Sequence, residues 1–407
     1  MRELAVRHLY HDPDVIQFYP VSAVSRGFPE RGGREAGNRL LVLARSRVQM
    51  TNGGFKAGLW SLAALAMAAL AGTLELPVAA TAFAQTGGKT QLAPVPRPRP
   101  AEQLQFQPPL SSQFQPPAQR QTKTKLVEFE MSPFPYEGIN PATGKPFINV
   151  EESGRRGRVG AGGRVYWEDE TYSDQRVLLH IPEGFDIKKP AMLIVFFHGH
   201  GAAIDSDVRD RQRVAEQISK SGANAVLVAP QMAVKAADSS AGIFWEQGMF
   251  AQFLNEAAEQ LALLHGGMGI TRMFDRMPVM IVAYSGGYLA TAWCVHHGGA
   301  NDRMRGVVLL DALYGEMDKF ERFVLGNRNS FFVSAYLGST RARNLEMQRM
   351  LADRNITVNT SLGGTIRPGY VAIVPGGSGD NHTDFANRAW GSNPITELLD
   401  RLPEYRR

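Results

Sequence analysis

Val279-Met280-Ile281-Val282-Ala283-Tyr284-Ser285-Gly286-Gly287 runs an apolar strand, Val279 to Ala283, straight into a turn of small residues. Gly286 to His297 then reads as a helix that is apolar nearly all round. A serine at so tight a strand-to-helix turn must take a strained backbone. Small residues two positions before and after it let strand and helix pass close together. Glycine is usual at the first of these positions, and Ala283 adds only a methyl there. A glycine-rich turn with an incidental serine has the same local composition. The apolar strand before the turn and the apolar helix after it favour Ser285 as a nucleophile.

Working outward from this turn, strand and helix signals alternate, which predicts an α/β fold with a mostly parallel sheet covered on both faces. Arg176 to Ile181 (RVLLHI), Met192 to Phe197 (MLIVFF) and Ala225 to Ala229 (AVLVA) precede the serine. Val307 to Leu310 (VVLL), Ser330 to Ala335 (SFFVSA) and Tyr370 to Val374 (YVAIV) follow it. Unbroken apolar runs of this length suit strands buried on both sides. One polar helix is expected over 205–220 and a second over 246–264. The second carries a stripe of Phe250, Phe253, Leu254, Ala257, Leu261 and Leu264.

Two further loops carry chemistry. The MLIVFF strand ends in His198-Gly199-His200-Gly201. Glycines there let backbone N–H groups approach the oxyanion of a tetrahedral intermediate. The Gly286 N–H and a donor near Gly201 or Ala202 are the expected pair, with His198 bracing the loop. The H-x-H spacing also suits a metal, but a zinc site needs at least three ligands and no third cluster stands out. The YVAIV strand leads to Asp380-Asn381-His382-Thr383-Asp384, and His382 comes late enough in the chain to be the general base. Of the other histidines, His180 falls inside a strand, while His265, His296 and His297 end helices. Gln231 is expected on the pocket floor. Trp245, Tyr284, Tyr288 and Tyr314 are weaker candidates for an aromatic acyl or sugar site. Cys294 reads as a buried structural thiol.

The succession of MLIVFFHGHG, AYSGG, VVLLD and the histidine loop resembles the α/β-hydrolase superfamily over roughly residues 170–395, in the manner of secreted esterases and depolymerase-like enzymes. The resemblance implies Ser285 as nucleophile, His382 as general base and acid, and His198 to Gly201 as the oxyanion loop. In the family the acid commonly follows the second strand after the nucleophile strand. Here that strand is followed by Tyr336-Leu337-Gly338-Ser339-Thr340-Arg341, which holds no carboxylate. The preceding strand ends in Asp311, which is therefore the expected acid. Asp380 and Asp384 are the alternatives, and a helix N-cap is the competing role for Asp311.

The remaining third of the chain has a different character. Residues 1–49 carry 8 basic and 5 acidic residues, and 50–125 carry 7 and 2, which leaves a net −3 for 126–407 within the overall +5. The basic excess is N-terminal, so it marks no nucleic-acid groove in the folded part. A single cysteine rules out an intrachain disulfide. Residues 50–84 read as a signal peptide: Lys56, an apolar run from Leu59 to Ala71, and Ala82-Phe83-Ala84 as the cleavage site. Residues 1–49 then read as an over-extended start, with Met50 as the natural one. Residues 85–125, with QFQPP twice, read as a Pro/Gln linker, and 126–407 as the catalytic domain. The expectation is a periplasmic or secreted serine esterase acting on a small-molecule or polymer-linked acyl substrate, without cofactor or metal. A membrane is involved only if the apolar segment stays uncleaved. An envelope peptidase or amidase with the same triad, and a non-catalytic binding protein of this fold, are the alternatives.

Overall fold

The computed structural model describes residues 121–377 and 379–407. The segments read as an over-extended start, a signal peptide and, over residues 85–120, a linker lie outside the described residues.

Among the described residues, eight strands form the main sheet: β1 (Lys123–Glu128), β2 (Arg176–Ile181), β3 (Met192–Phe197), β4 (Ala225–Pro230), β5 (Val279–Tyr284), β6 (Met304–Leu310), β7 (Phe331–Tyr336) and β8 (Val371–Pro375). Their order is β1-β2-β4-β3-β5-β6-β7-β8. β2 runs antiparallel to both β1 and β4, and every later pairing is parallel. β1 begins at Lys123, three residues inside the segment read as linker. The main helices are α1 (Val214–Lys220), α2 (Met249–His265), α3 (Tyr288–His297), α4 (Met317–Gly326), α5 (Arg341–Asp353) and α6 (Pro394–Leu399). This is the α/β-hydrolase fold, a mostly parallel sheet with helices on both faces and a serine on the turn after its central strand. Among the described residues no helix is long and apolar enough to cross a membrane.

The continuous apolar runs are explained by two cores. Leu193, Val195 and Phe197 of β3 join the core under α2, α3, α4 and α5, while Met192, Ile194 and Phe196 join the core under α1 and α6. β5 divides the same way, with Val279, Ile281 and Ala283 on one face and Met280, Val282 and Tyr284 on the other. All six β3 side chains are fully buried, and each contributes roughly 1.5–3 kcal/mol of transfer free energy.

An aromatic cluster secures the polypeptide before the sheet. Phe147 packs on Phe134, Tyr136, Tyr172 and Trp245 at centroid distances of 4.9–5.7 Å. Trp245 is thus a core residue and leaves the proposed aromatic site. The Tyr172 hydroxyl donates to Asp238 at 2.5 Å, and Arg158 reaches the same carboxylate at 3.3 Å. These contacts fix the loop after β4, which carries Ser239 towards the serine turn.

The helix expected over 205–220 is two helices. Ile204–Arg211 is a π-helix, and α1 begins at Val214 after Arg213 turns left-handed at φ 50°. The second predicted helix starts later than expected, at Met249, because Gly248 takes φ 82° before it.

The sheet delivers the candidate residues to one edge. Ser285 follows β5, Asp311 follows β6, the His198–Gly201 loop follows β3, and the His382 loop follows β8. The carboxyl ends of parallel strands are where such folds bind ligands. Gly287 shows how tight the turn is: a Cβ there would strike the Phe197 carbonyl of β3. Gly287→Ala is therefore expected to lower stability by about 1–3 kcal/mol through overpacking. Gly326→Ala, in open space at the end of α4, is the control and should change the urea midpoint little. Equal midpoints for the two variants would contradict the close strand–helix packing.

Candidate active site

Ser285 has φ 51°, a left-handed backbone that non-glycine residues seldom adopt. The pairing of β5 with β3 and β6 on its two sides holds it there. The turn lifts the side chain off the sheet, and the residue remains only 7% exposed.

The structure brings Ser285, His382 and Asp311 together. His382 Nδ1 lies 2.6 Å from Asp311 Oδ2, and its Nε2 lies 2.8 Å from Ser285 Oγ. A carboxylate only accepts, so Nδ1 carries the proton and Nε2 is left to accept from the serine hydroxyl.

Asp311 is fully buried and has φ 45°. Its carboxylate is saturated with donors. Oδ1 accepts the Leu337 N–H at 2.9 Å and the Thr340 hydroxyl, and Oδ2 accepts the Ser339 hydroxyl at 3.0 Å beside His382. Burial works to raise its pKa, but the bonds from His382, Thr340 and Leu337 outweigh burial and hold the carboxyl below its ordinary value. The segment after β7 that lacks a carboxylate is thus the segment that solvates Asp311. Thr340 occupies the N-cap position of α5 and makes no side-chain cap there, because its hydroxyl serves Asp311. Asp311 does not serve as a helix N-cap.

Asp380 and Asp384 make local turns. Asp380 accepts the Gly377 N–H at 2.6 Å, and Asp384 accepts from the Asn381 amide at 3.1 Å. The Tyr284 hydroxyl donates to the His382 carbonyl at 2.7 Å, and its ring stacks on the imidazole at 5.2 Å. Tyr284 therefore supports His382 from behind. Tyr288 and Tyr314 lie together at 5.8 Å, and the Tyr314 hydroxyl reaches Ser339 at 3.4 Å.

The loop after β3 is divided in purpose. His198 is buried; its Nδ1–H donates to the Gly199 carbonyl at 2.8 Å and its Nε2 accepts the Met232 N–H at 2.9 Å. It braces the loop. Gln231 is fully buried too, accepting the Ile204 N–H and donating to the Met232 and Ala202 carbonyls. It is a second brace and does not form a pocket floor. The Gly201 N–H donates to the Ala236 carbonyl at 2.9 Å, which withdraws it from the role of oxyanion donor. Gly199 backs directly on Ser285, since a Cβ at Gly199 would lie 2.6 Å from Ser285 Cβ. His200 Nε2 meets Ser239 Oγ at 2.7 Å. Both side chains sit over Gly286, where a Cβ would lie 2.5 Å from the imidazole and 2.8 Å from the hydroxyl. The two histidines of the H-x-H pair thus point to different partners. Among the described residues no group of three or more His, Cys, Asp or Glu side chains could hold a metal ion.

Three other histidines among the described residues lie elsewhere. His180 bridges Thr124 and Ser219 at 2.8 Å each, and His296 and His297 stack beside Trp293 at the end of α3. Cys294 is buried in α3, and burial pushes its thiol pKa well up.

A groove of about 990 Å³ opens beside the His382 loop between Arg213, Trp390, Asn393 and Arg401. Ser285 does not line it.

No family model matches the chain, and no curated protein matches it. Among solved structures, a feruloyl esterase module from Clostridium thermocellum is similar at 13% identity and TM-score 0.36, covering 67% of this chain and 96% of that one. The BES protein from Bacillus cereus is similar at 11% and 0.34, covering 62% and 97%. Thermogutta terrifontis esterase 2 is similar at 13% and 0.33, covering 55% and 86%.

Burial pushes the pKa of His180 and His198 down to about 4, so both are neutral in the folded state. Below pH 6.5 the unfolded chain takes up protons that the fold refuses. Stability is therefore full above pH 6.5 and falls as pH drops towards 4, by up to roughly 3 kcal/mol for each group. Asp311 is kept charged where the histidines are kept neutral, but its pKa is also lowered, so its contribution has the same sign and is lost as pH falls below the ordinary carboxylate range through its depressed pKa. Urea unfolding between pH 7.5 and 4 should show this fall, and His198→Asn should make it shallower. A flat profile would contradict neutral burial.

Proposed function

We propose that the protein is a serine hydrolase that cleaves an ester through an acyl-enzyme. The observation that carries the reading is the unbroken line from Ser285 Oγ to His382 Nε2 at 2.8 Å and from His382 Nδ1 to Asp311 Oδ2 at 2.6 Å, with the serine on a left-handed turn. Each part has a chemical task. His382 takes the proton of Ser285 as its oxygen attacks the carbonyl carbon. Asp311 holds the imidazole in the Nδ1–H tautomer and stabilises the imidazolium that forms. The oxyanion is received by the Gly286 N–H and by an amide of the 199–202 loop other than Gly201. His382 then returns the proton to the leaving oxygen and activates water to release the acid.

No step calls for a cofactor. A small or polymer-linked acyl group is the substrate class we favour. The signal-like segment at 50–84 supports action in the periplasm or outside the cell.

A fluorophosphonate probe tests the reading, because it reacts only with an activated serine. Wild type should label, and Ser285→Ala should not. Asp311→Asn should slow labelling by roughly 10³–10⁴-fold, since the amide favours the wrong tautomer. A well-folded wild type that does not label would leave a binding protein of this fold as the reading. Gly199→Ala should also slow labelling, by about 10²-fold or more, because its Cβ displaces the nucleophile.

A further inference from the structure

We infer that Arg211 is a positioning residue for His382, joining the loop after β3 to the loop after β8. The inference rests on reading Ser285 and His382 as nucleophile and base.

It begins with a local oddity. Ile204–Arg211 is a π-helix, closed by the Gln212 N–H on the Asp207 carbonyl at 2.7 Å. Such i→i+5 turns are rare and concentrate at functional sites. Two more unfavourable features follow at once. Arg213 takes φ 50°. Gln212 is fully buried, and among the described residues neither of its side-chain amide atoms has a hydrogen-bond partner. Left-handed backbone and an unsatisfied buried amide are each unfavourable. A two-turn segment that gathers three such features needs a compensating purpose.

The purpose is visible in where the guanidinium goes. Arg211 Nε donates to Asp207 Oδ1 at 2.9 Å, and its NH1 donates to the Thr383 carbonyl at 3.0 Å. The other oxygen of Asp207 accepts the Ala203 N–H at 2.8 Å. Asn387 donates to the Arg211 carbonyl at 3.1 Å. One chain of bonds therefore runs from the oxyanion-side loop, through Asp207 and Arg211, to the residue next to His382. The Tyr284 hydroxyl holds the carbonyl of His382 itself at 2.7 Å. Two successive carbonyls of the histidine loop are thus pinned from different sides, which limits how far the imidazole can swing from Ser285.

Stability alone does not explain the arrangement. The Arg211 side chain is 39% exposed, and exposed ion pairs add little stability. The planar guanidinium can bond Asp207 and Thr383 at once in a fixed geometry, which the single ammonium of lysine reproduces only in part.

The test compares the full chain with Arg211→Met and Arg211→Lys, using p-nitrophenyl acetate hydrolysis, urea unfolding and amide exchange of residues 379–388. Arg211→Met should lower kcat by roughly 10–100-fold, as a displaced general base does. KM should stay within about 2-fold, as expected when ground-state binding is untouched. The urea midpoint should hardly move, amide exchange in the loop should rise about 10-fold or more as its restraint is lost, and Arg211→Lys should recover part of kcat. An unchanged kcat with unchanged exchange would overturn the inference. So would a fall in kcat matched by a general loss of stability. If wild type neither hydrolyses nor labels, the nucleophile reading fails. The exchange of the loop then decides alone whether Arg211 positions it.

Discussion

Everything at the site turns on one buried carboxylate. Asp311 has no exposed surface, and an isolated carboxylate in that place would give up its charge. Four donors keep it charged: the Leu337 N–H, the Ser339 and Thr340 hydroxyls, and His382 Nδ1–H. Bonds to a charged group are worth about 1.5–3 kcal/mol each, enough together to offset the burial. The tautomer of His382 follows from that charge, and the direction of the Ser285 proton follows from the tautomer.

The sheet supplies the rigidity this needs. β5, β6 and β7 are parallel neighbours, so the serine, the aspartate and the loop that solvates the aspartate leave the sheet at the same edge. The buried faces of these strands lock their register, since a one-residue slip would exchange the two cores. The crossing of strand and helix at the serine is close enough that Gly199, Gly286 and Gly287 each have a neighbour where a side chain would begin. Ala283 is tolerated two residues before the serine, fully buried in the core under α3.

Much of this is legible in the amino-acid order. Strands such as Met192–Phe197 stand out because both faces are apolar, and the serine turn stands out because only small residues suit it. Sequence order alone also puts His382 and Asp311 after suitable strands. Other features are hidden for physical reasons. β1 reads KTKLVE, an edge strand with no fully buried residue, so it lacks the apolar run that marks the inner strands. The break at Gln212–Arg213 falls in a polar run with no glycine or proline to announce it. Ser339 and Thr340 look like ordinary loop hydroxyls, because their partner lies 28 and 29 positions away in sequence. Gln231 follows a strand end that opens on the site, yet its amide turns inward to brace the loop.

The displaced acid is the central claim, and it can be tested without touching Ser285, His382 or Asp311. The measurement is the rate of fluorophosphonate labelling in the double variant Ser339→Ala, Thr340→Val. Removing two of the donors should let Asp311 hold His382 less firmly, and labelling should slow by about 10-fold or more, the equivalent of one hydrogen bond to a charged group. A folded double variant that labels at the wild-type rate would contradict the account.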